Sequence, residues 1–445
     1  MRDSEVLDMN QVLVEYARTG LILEGVECLN ARREPAAQSA WVHMKGLAGS
    51  GPYAVMAASG LAGLKGLQVV VLPDKEAASY AYSDLESMID PRHLLMFPSS
   101  YRRQVGAEQQ DQYQVLQRSE VLGRLTTGNR SESEATIWLI TWPDALMEEV
   151  VLNTTLARNT LELKKNEAVD LDFLIELLSE MGFERVDFVY EPGQYAIRGG
   201  IVDVYSYASD WPYRMELHGD RPERLRTFDP ESQLTVREVD KAVILPNLQA
   251  DLLAQGRQSL MDYFPPQTVV WYSDPAMLMA QAELCWNKAE NAEEILRSPE
   301  DWMNRLLTFP RVSFEDSGWN LYAEEFLDPS KVRKDPSLRL SFQQEIQPLI
   351  RKQFSSLVAV GKDLHDQGYR LTVCSDNSRQ IKRLEQILED LNAGFTMIPL
   401  PVGLHAGFTD HDRKIAFWTE HQFFERFHKY KARGRTGASE KLTLK

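Results

Sequence analysis

Between residues 39 and 148 short apolar runs alternate with amphipathic stretches, the pattern of βαβ units laid over a parallel sheet. "AWVHMKG" is expected as a strand, "PYAVMAASGLAG" as a helix and "LQVVVLP" as the next strand. There follow a helix over "DKEAASYAYSDLESMI" opened by Asp74, a strand at "HLLMFP", a long helix around "QDQYQVLQRSEVLGRLTT" and a strand at "ATIWLIT". Near residue 150 the texture changes. After the amphipathic helix "LDFLIELLSEMGF", short alternating segments separated by Gly, Pro and Asp turns predict an antiparallel, mostly β insert.

A chain of 445 residues is too long for one hydrophobic core, and the texture divides it. Residues 1–150 form the first part of an α/β domain, 151–246 the β insert, and 247–315 a return to the first domain. Residues 316–430 form a small α/β domain with a long helix over 343–367, and 431–445 a flexible tail with no apolar face to bury. No apolar run approaches the roughly 20 residues of a membrane span, so a cytoplasmic protein without membrane contact is expected. Cys28, Cys285 and Cys374 lie too far apart for a zinc spacing, and His405, His411 and His421 are spaced too irregularly for a metal site. A formal net charge of −16 argues against indiscriminate coating of nucleic acid while leaving room for a local basic patch.

The first strand runs into "GLAGSGPY", the skeleton of a phosphate-binding P-loop. Gly46, Gly49 and Gly51 are in place, but Pro52 stands where the phosphate-binding lysine belongs and Tyr53 where a short hydroxyl would ligate magnesium. No Asp-Glu pair occurs anywhere in the chain to hold the metal and polarise water. A loop that keeps its fold and loses its chemistry is expected, with no catalytic residue, no metal and no ATPase activity.

The stretch 183–246 is the most specific. Arg185, Arg198, Arg214, Arg224 and Arg226 recur on strands that should lie side by side, and seven Asp or Glu residues fall in the span from Arg185 to Arg226. The residues alone leave two readings: a solvated face laced with cross-strand ion pairs, or a polar binding surface. Ile197, Ile201, Val204 and Tyr205 are candidate core positions, and Gly193 and Gly199-Gly200 candidate turns or bulges.

The order "RVDFVYEPGQYAIRGGIVDVY", "YRMELHGD", "LRTFDPESQ" and "VILP" closely resembles the module shared by the excision-repair helicase UvrB and the N-terminal part of bacterial transcription-repair coupling factors (Mfd). "TFDPESQ" followed by "VILP" is more similar to the coupling factors. More weakly, "MFPSSYRR", "IWLITWPDAL" and "RKIAFWTEHQFFERFHKYKARG" extend the resemblance over most of the chain. It implies a UvrB-like, helicase-type α/β module with degenerate ATPase motifs, whose β insert binds UvrA. Carried over by position, Arg185, Arg198 and Arg214 are the partner-binding arginines, with Glu191, Asp203 and Tyr205 in support, while Ala196 stands where UvrB has a further arginine.

The resemblance further implies that ATP and magnesium serve only a motor elsewhere in the full-length family member, an ATP-dependent DNA translocase. RNA polymerase and double-stranded DNA are then partners of that longer protein. A later domain is expected to mask the UvrA surface. Residual DNA contact by a helicase-like scaffold is the alternative, with Arg102-Arg103 and the helix bearing Arg379, Lys382 and Arg383 as candidates.

Overall fold

A computed structural model describes residues 7–31, 39–100, 112–127, 135–247, 256–289, 291–314, 336–348, 350 and 353–424. In chain order the strands are β1 (Trp41–Lys45), β2 (Gly66–Val71), β3 (Leu94–Met96), β4 (Thr136–Thr141), β5 (Glu149–Val151) and β6 (Leu161–Lys164). The insert continues with β7 (Glu184–Arg185), β8 (Gln194–Arg198), β9 (Ile201–Val204), β10 (Tyr213–His218), β11 (Arg221–Phe228), β12 (Thr235–Glu238) and β13 (Lys241–Ile244). Beyond it lie β14 (Arg257–Ser259), β15 (Val269–Tyr272), β16 (Arg311–Ser313), β17 (Leu338–Ser341) and β18 (Gln344–Ile346). The last are β19 (Arg370–Cys374), β20 (Ile398–Leu400), β21 (Phe408–Asp410) and β22 (Ile415–Thr419).

The Val69–Val70–Val71 run of β2 is buried on both faces, as a strand inside a parallel sheet must be. Around it a seven-stranded sheet has the order β17-β1-β16-β15-β2-β4-β3, with every pairing parallel. Crossover helices begin where capping chemistry predicts. Asp74 accepts from Ala77 N–H at 2.8 Å to open the helix Lys75–Glu86. Asp274 accepts from Ala276 N–H at 2.8 Å to open Pro275–Lys288, with proline in the first turn.

The insert leaves this sheet after β4 and the chain re-enters at β15. Two antiparallel ladders mark the passage, β5 with β14 and then β6 with β13. Beyond them lies a six-stranded sheet, β12-β11-β10-β9-β8-β7, antiparallel except for β7 on β8. One face, with Tyr195, Val202, Val204 and Met215, packs on Leu174 and Leu178 of the helix Leu171–Glu180 as a core of its own. The small α/β unit is a mixed five-stranded sheet, β18-β21-β22-β19-β20; one face packs on the helices Phe354–Asp366 and Ser378–Asp390 as a core of its own, while Leu400, Phe408, Ile415 and Phe417 join the main core.

Three sequence expectations need correction. Residues 151–160 do not belong to the insert: Val151 closes the β5–β14 ladder, and the insert's first ladder opens at Leu161. The third unit does not take in everything after residue 316, because β17 adds a parallel strand beside β1 in the first sheet. The helix expected over 343–367 is two elements, since Gln344–Ile346 pairs antiparallel with β21 and the helix starts only at Phe354. Pro348 explains the break, because it lacks an N–H and pushes its predecessor out of the helical region. The tail after 430, Arg102-Arg103 and most of the "SSYRRQVGA" segment lie outside the described residues.

Candidate functional site

The insert's sheet has one face closed by its helix; the other carries charge. Strand register sets Ala196, Asp203, Arg214, Arg226 and Glu238 in one row across five strands. The next row holds Arg198, Ile201, Glu216 and Arg224. Side chains alternate along each strand, so these rows point away from the apolar core.

Asp203 is the hub, with only 1 % of its surface exposed. Arg214 binds it bidentately, Nε to Oδ1 at 2.7 Å and Nη2 to Oδ2 at 2.8 Å, and Arg198 Nη2 reaches Oδ2 at 2.5 Å. Each guanidinium is also held from its flank. Arg214 lies over the Phe228 ring at 3.9 Å and donates to Gln233 Oε1 at 2.7 Å. Arg198 lies over the Phe188 ring at 4.5 Å and donates to the Asp187 carbonyl at 2.7 Å.

The remaining charges form a chain in which Arg224 and Glu238 are exposed and Arg226 and Glu216 half-buried. Arg226 pairs with Glu216 at 2.5 Å and Arg224 with Glu238 at 3.0 Å, and the Arg224 hydrogen bond holds the Glu238 carboxyl below its ordinary value. Four guanidiniums thus face three carboxylates on a molecule that is acidic overall.

The expected site residues divide between surface and support. Arg185 on β7 and Glu191 in the following loop are exposed, and Arg198 keeps 31 % of its side chain open. Arg214 and Asp203 are buried, so they brace the face rather than present themselves on it. Tyr205 is buried with Val189 and Ala196, and its hydroxyl donates to the Asp210 carbonyl at 2.7 Å. Burial pushes that phenol well above its ordinary pKa, so it stays neutral. Ala196 fills a packed satellite core, which is why a long cation has no place there.

Sequence reading missed Phe188, Glu216, Phe228 and Gln233. Gln233 had a signal, in the turn "TFDPESQ". Asp229 accepts from the N–H groups of Glu231 and Ser232 and Gln233 takes a left-handed φ of 59°, which returns its side chain to Arg214.

In the first unit Gly46 and Gly49 lie between β1 and the helix Gly51–Leu61, whose first turn holds Gly51, Pro52 and Tyr53. Gly46 and Gly49 adopt φ of 71° and 55°, the left-handed region glycine favours. Pro52 sits in the helix's first turn and Tyr53 packs against the main core. Among the described residues no cluster of His, Cys, Asp and Glu could hold a metal ion. Arg379, Lys382 and Arg383 are exposed on a helix that also carries Glu385 and Glu389.

This geometry defines an insert with one apolar and one arginine-rich face, and residues 161–249 match the family model described as the UvrB interaction domain. Relatives place it further. The chain is similar to the transcription-repair-coupling factor of Escherichia coli, 36 % identical over 108 residues, which is 24 % of this chain and 9 % of that protein. It is similar to that of Myxococcus xanthus, 29 % identical over 196 residues, 42 % of this chain and 16 % of the relative. A UvrABC system protein B from Yersinia enterocolitica is 33 % identical over 87 residues, 19 % of this chain and 13 % of the relative.

The likeness to the UvrB-homology region of the coupling factors is thereby shown, and the matched stretches span less than a fifth of these relatives' lengths. The crystal structure of a DEAD box protein from Methanococcus jannaschii covers 83 % of this chain and 64 % of its own at 9 % identity, with a TM-score of 0.28, too distant to carry weight.

Proposed function

We propose that this chain is a non-catalytic recruitment module of nucleotide excision repair, whose insert binds UvrA and brings it to lesions that have stalled RNA polymerase. The carrying observation is the open face centred on Arg198, pre-aimed by a buried carboxylate within the stretch that matches the UvrB interaction domain. Arginines held this way lose little rotamer freedom on docking, and the N–H donors of Arg198 not spent on Asp203 and Asp187 can meet a partner's carboxylates. Lost lysine and hydroxyl in the P-loop support a module with no ATP turnover and no nucleotide cofactor. Translocation on double-stranded DNA and contact with RNA polymerase belong, in this reading, to other parts of a longer coupling factor. No described helix is long and apolar enough to cross a membrane, which accords with work on cytoplasmic DNA.

Titration calorimetry against UvrA from the same organism, without nucleotide, tests the reading. Wild type should bind, and Arg198→Gln, which removes the charge while sparing Asp203 a second carboxylate, should weaken binding by about 2 to 5 kcal/mol in folded protein, the cost of losing a desolvated interfacial charge. Equal affinity for both proteins would move the interface off this face, and no binding by folded wild type would remove the function.

A further inference from the structure

The P-loop has lost its phosphate chemistry but is not idle. A working loop leaves backbone N–H groups free to cradle an anion. Here the Ala48 and Ser50 N–H groups are spent on the chain itself. Ser50 N–H donates to the Ala406 carbonyl at 2.9 Å, and Ala406 N–H donates back to Ser50 Oγ at 3.1 Å. Ala48 N–H donates to Gln344 Oε1 at 3.2 Å. Both partners come from the far side of the molecule in sequence, Ala406 from the loop that enters β21 and Gln344 from β18.

The glycines fit this guest closely. A Cβ on Gly49 would lie 2.7 Å from the Gly407 carbonyl oxygen and 2.9 Å from that of Ala406. One on Gly51 would run into Gln344 Oε1, and one on Gly46 into the Phe342 carbonyl. Glycine at these positions therefore lets a polypeptide segment, rather than a triphosphate, approach the loop.

Two further anchors hold the same segment. His405 N–H donates to the buried Asp84 carboxylate at 2.7 Å, and the His405 ring stacks on Tyr80 at 3.7 Å. Gln344 Nε2 also donates to Asp410 Oδ2 at 3.1 Å, an atom that accepts from Tyr16 at 2.7 Å and Arg413 at 2.9 Å. One glutamine thus ties the P-loop to the small unit's sheet and, through Asp410, to the N-terminal helix Met9–Ala17.

We infer that the degenerate P-loop is an internal socket, in which segment 404–407 takes the place of the nucleotide phosphates and clamps the small α/β unit onto the first sheet without any nucleotide. The cleft that would open and close with ATP in a motor is then a fixed joint, and the two units move as one body. The first unit gives up a ligand site and gains a rigid frame for its insert.

Hydrogen exchange read by mass spectrometry on the whole chain tests the socket. In wild type, peptides covering 46–51 and 403–408 should be protected together, and millimolar ATP with magnesium should leave both unchanged. Gly49→Ala wedges a methyl group between the loop and its guest and should speed exchange in both peptides by about tenfold or more, leaving 161–245 as in wild type. Ser50→Ala removes one acceptor and should speed the same two peptides by a smaller factor. It decides alone if Gly49→Ala fails to fold. Wild-type exchange at 403–408 in the folded variants would overturn the proposal. So would protection of 46–51 by ATP in the wild-type chain.

Discussion

Asp203 answers to two arginines at once and has almost no contact with water. A buried carboxylate between two guanidiniums is stable only as a set, because removing one member leaves an uncompensated charge. Asp203→Asn should lower the urea midpoint by the equivalent of about 3 to 5 kcal/mol with an unchanged slope. A loss below about 1 kcal/mol would mean that Arg214, with 11 % of its side chain open, is solvated well enough to stand alone.

Asp84 presents the opposite electrostatics. Burial raises its carboxyl from 3.8 to about 7, against the lowering effect of the Ser50 and His405 hydrogen bonds, and the Cys374 thiol is raised by burial and in turn by this charge. Its folded value exceeds its unfolded one, so the folded state holds the proton more tightly. Its contribution to stability is greatest below about pH 4, falls as pH rises from 4 to 7 and levels off above, by at most about 4 kcal/mol for three pH units. Thermal unfolding at pH 5 and pH 8 should therefore show Asp84→Asn gaining on wild type as pH rises. Parallel curves would show that Asp84 carries no such linkage.

The facing of these residues was legible and their burial was not. "GIVDVY" alternates, which sets Asp203 opposite Val202 and Val204. That it is sealed from water depends on guanidiniums arriving from β8 and β10, and no local pattern encodes that arrival.

The elements of the insert build most of a core from their own side chains. Leu163 and Ile244 from the entry ladder, Leu174 and Leu178 from the helix, and Val202, Met215 and Leu225 from the sheet bury one another. A stretch of this size is above the length at which domains need disulfides or metals to fold alone. Residues 160–246 expressed separately should unfold in one cooperative urea transition. A broad transition would show that the insert leans on the first sheet through Ala208 and Val243, which touch the main core.

The same scale explains which elements sequence could supply. Long apolar strands such as β2, β4 and β15, and helices with Asp caps, announce themselves through local chemistry. β16 and β17 do not. Only "RVS" and "LRLS" carry them, and Arg311 sits fully buried over the Trp41 ring at 4.7 Å, donating to the Leu307 carbonyl at 2.7 Å. A charged residue in a three-residue run reads as loop until its neighbours are known. The P-loop was legible as a motif and as a loss, while its occupant lies over 350 residues away in the chain.

At the scale of the whole molecule, β1 is flanked by β16 and β17, and neither neighbour is near it in the chain. During synthesis β1 leaves the ribosome with no strand beside it, while β2, β3 and β4 can already pair, and the insert can close its own core before β15 is made. At about 5 to 20 residues per second, roughly 15 to 50 seconds separate the end of β1 at Lys45 from the arrival of Arg311. The first domain is thus completed after its insert and around it, with only the small α/β unit still to come. For that interval the strand that leads into the P-loop is an open edge, its backbone groups without the partners that β16 and β17 later supply.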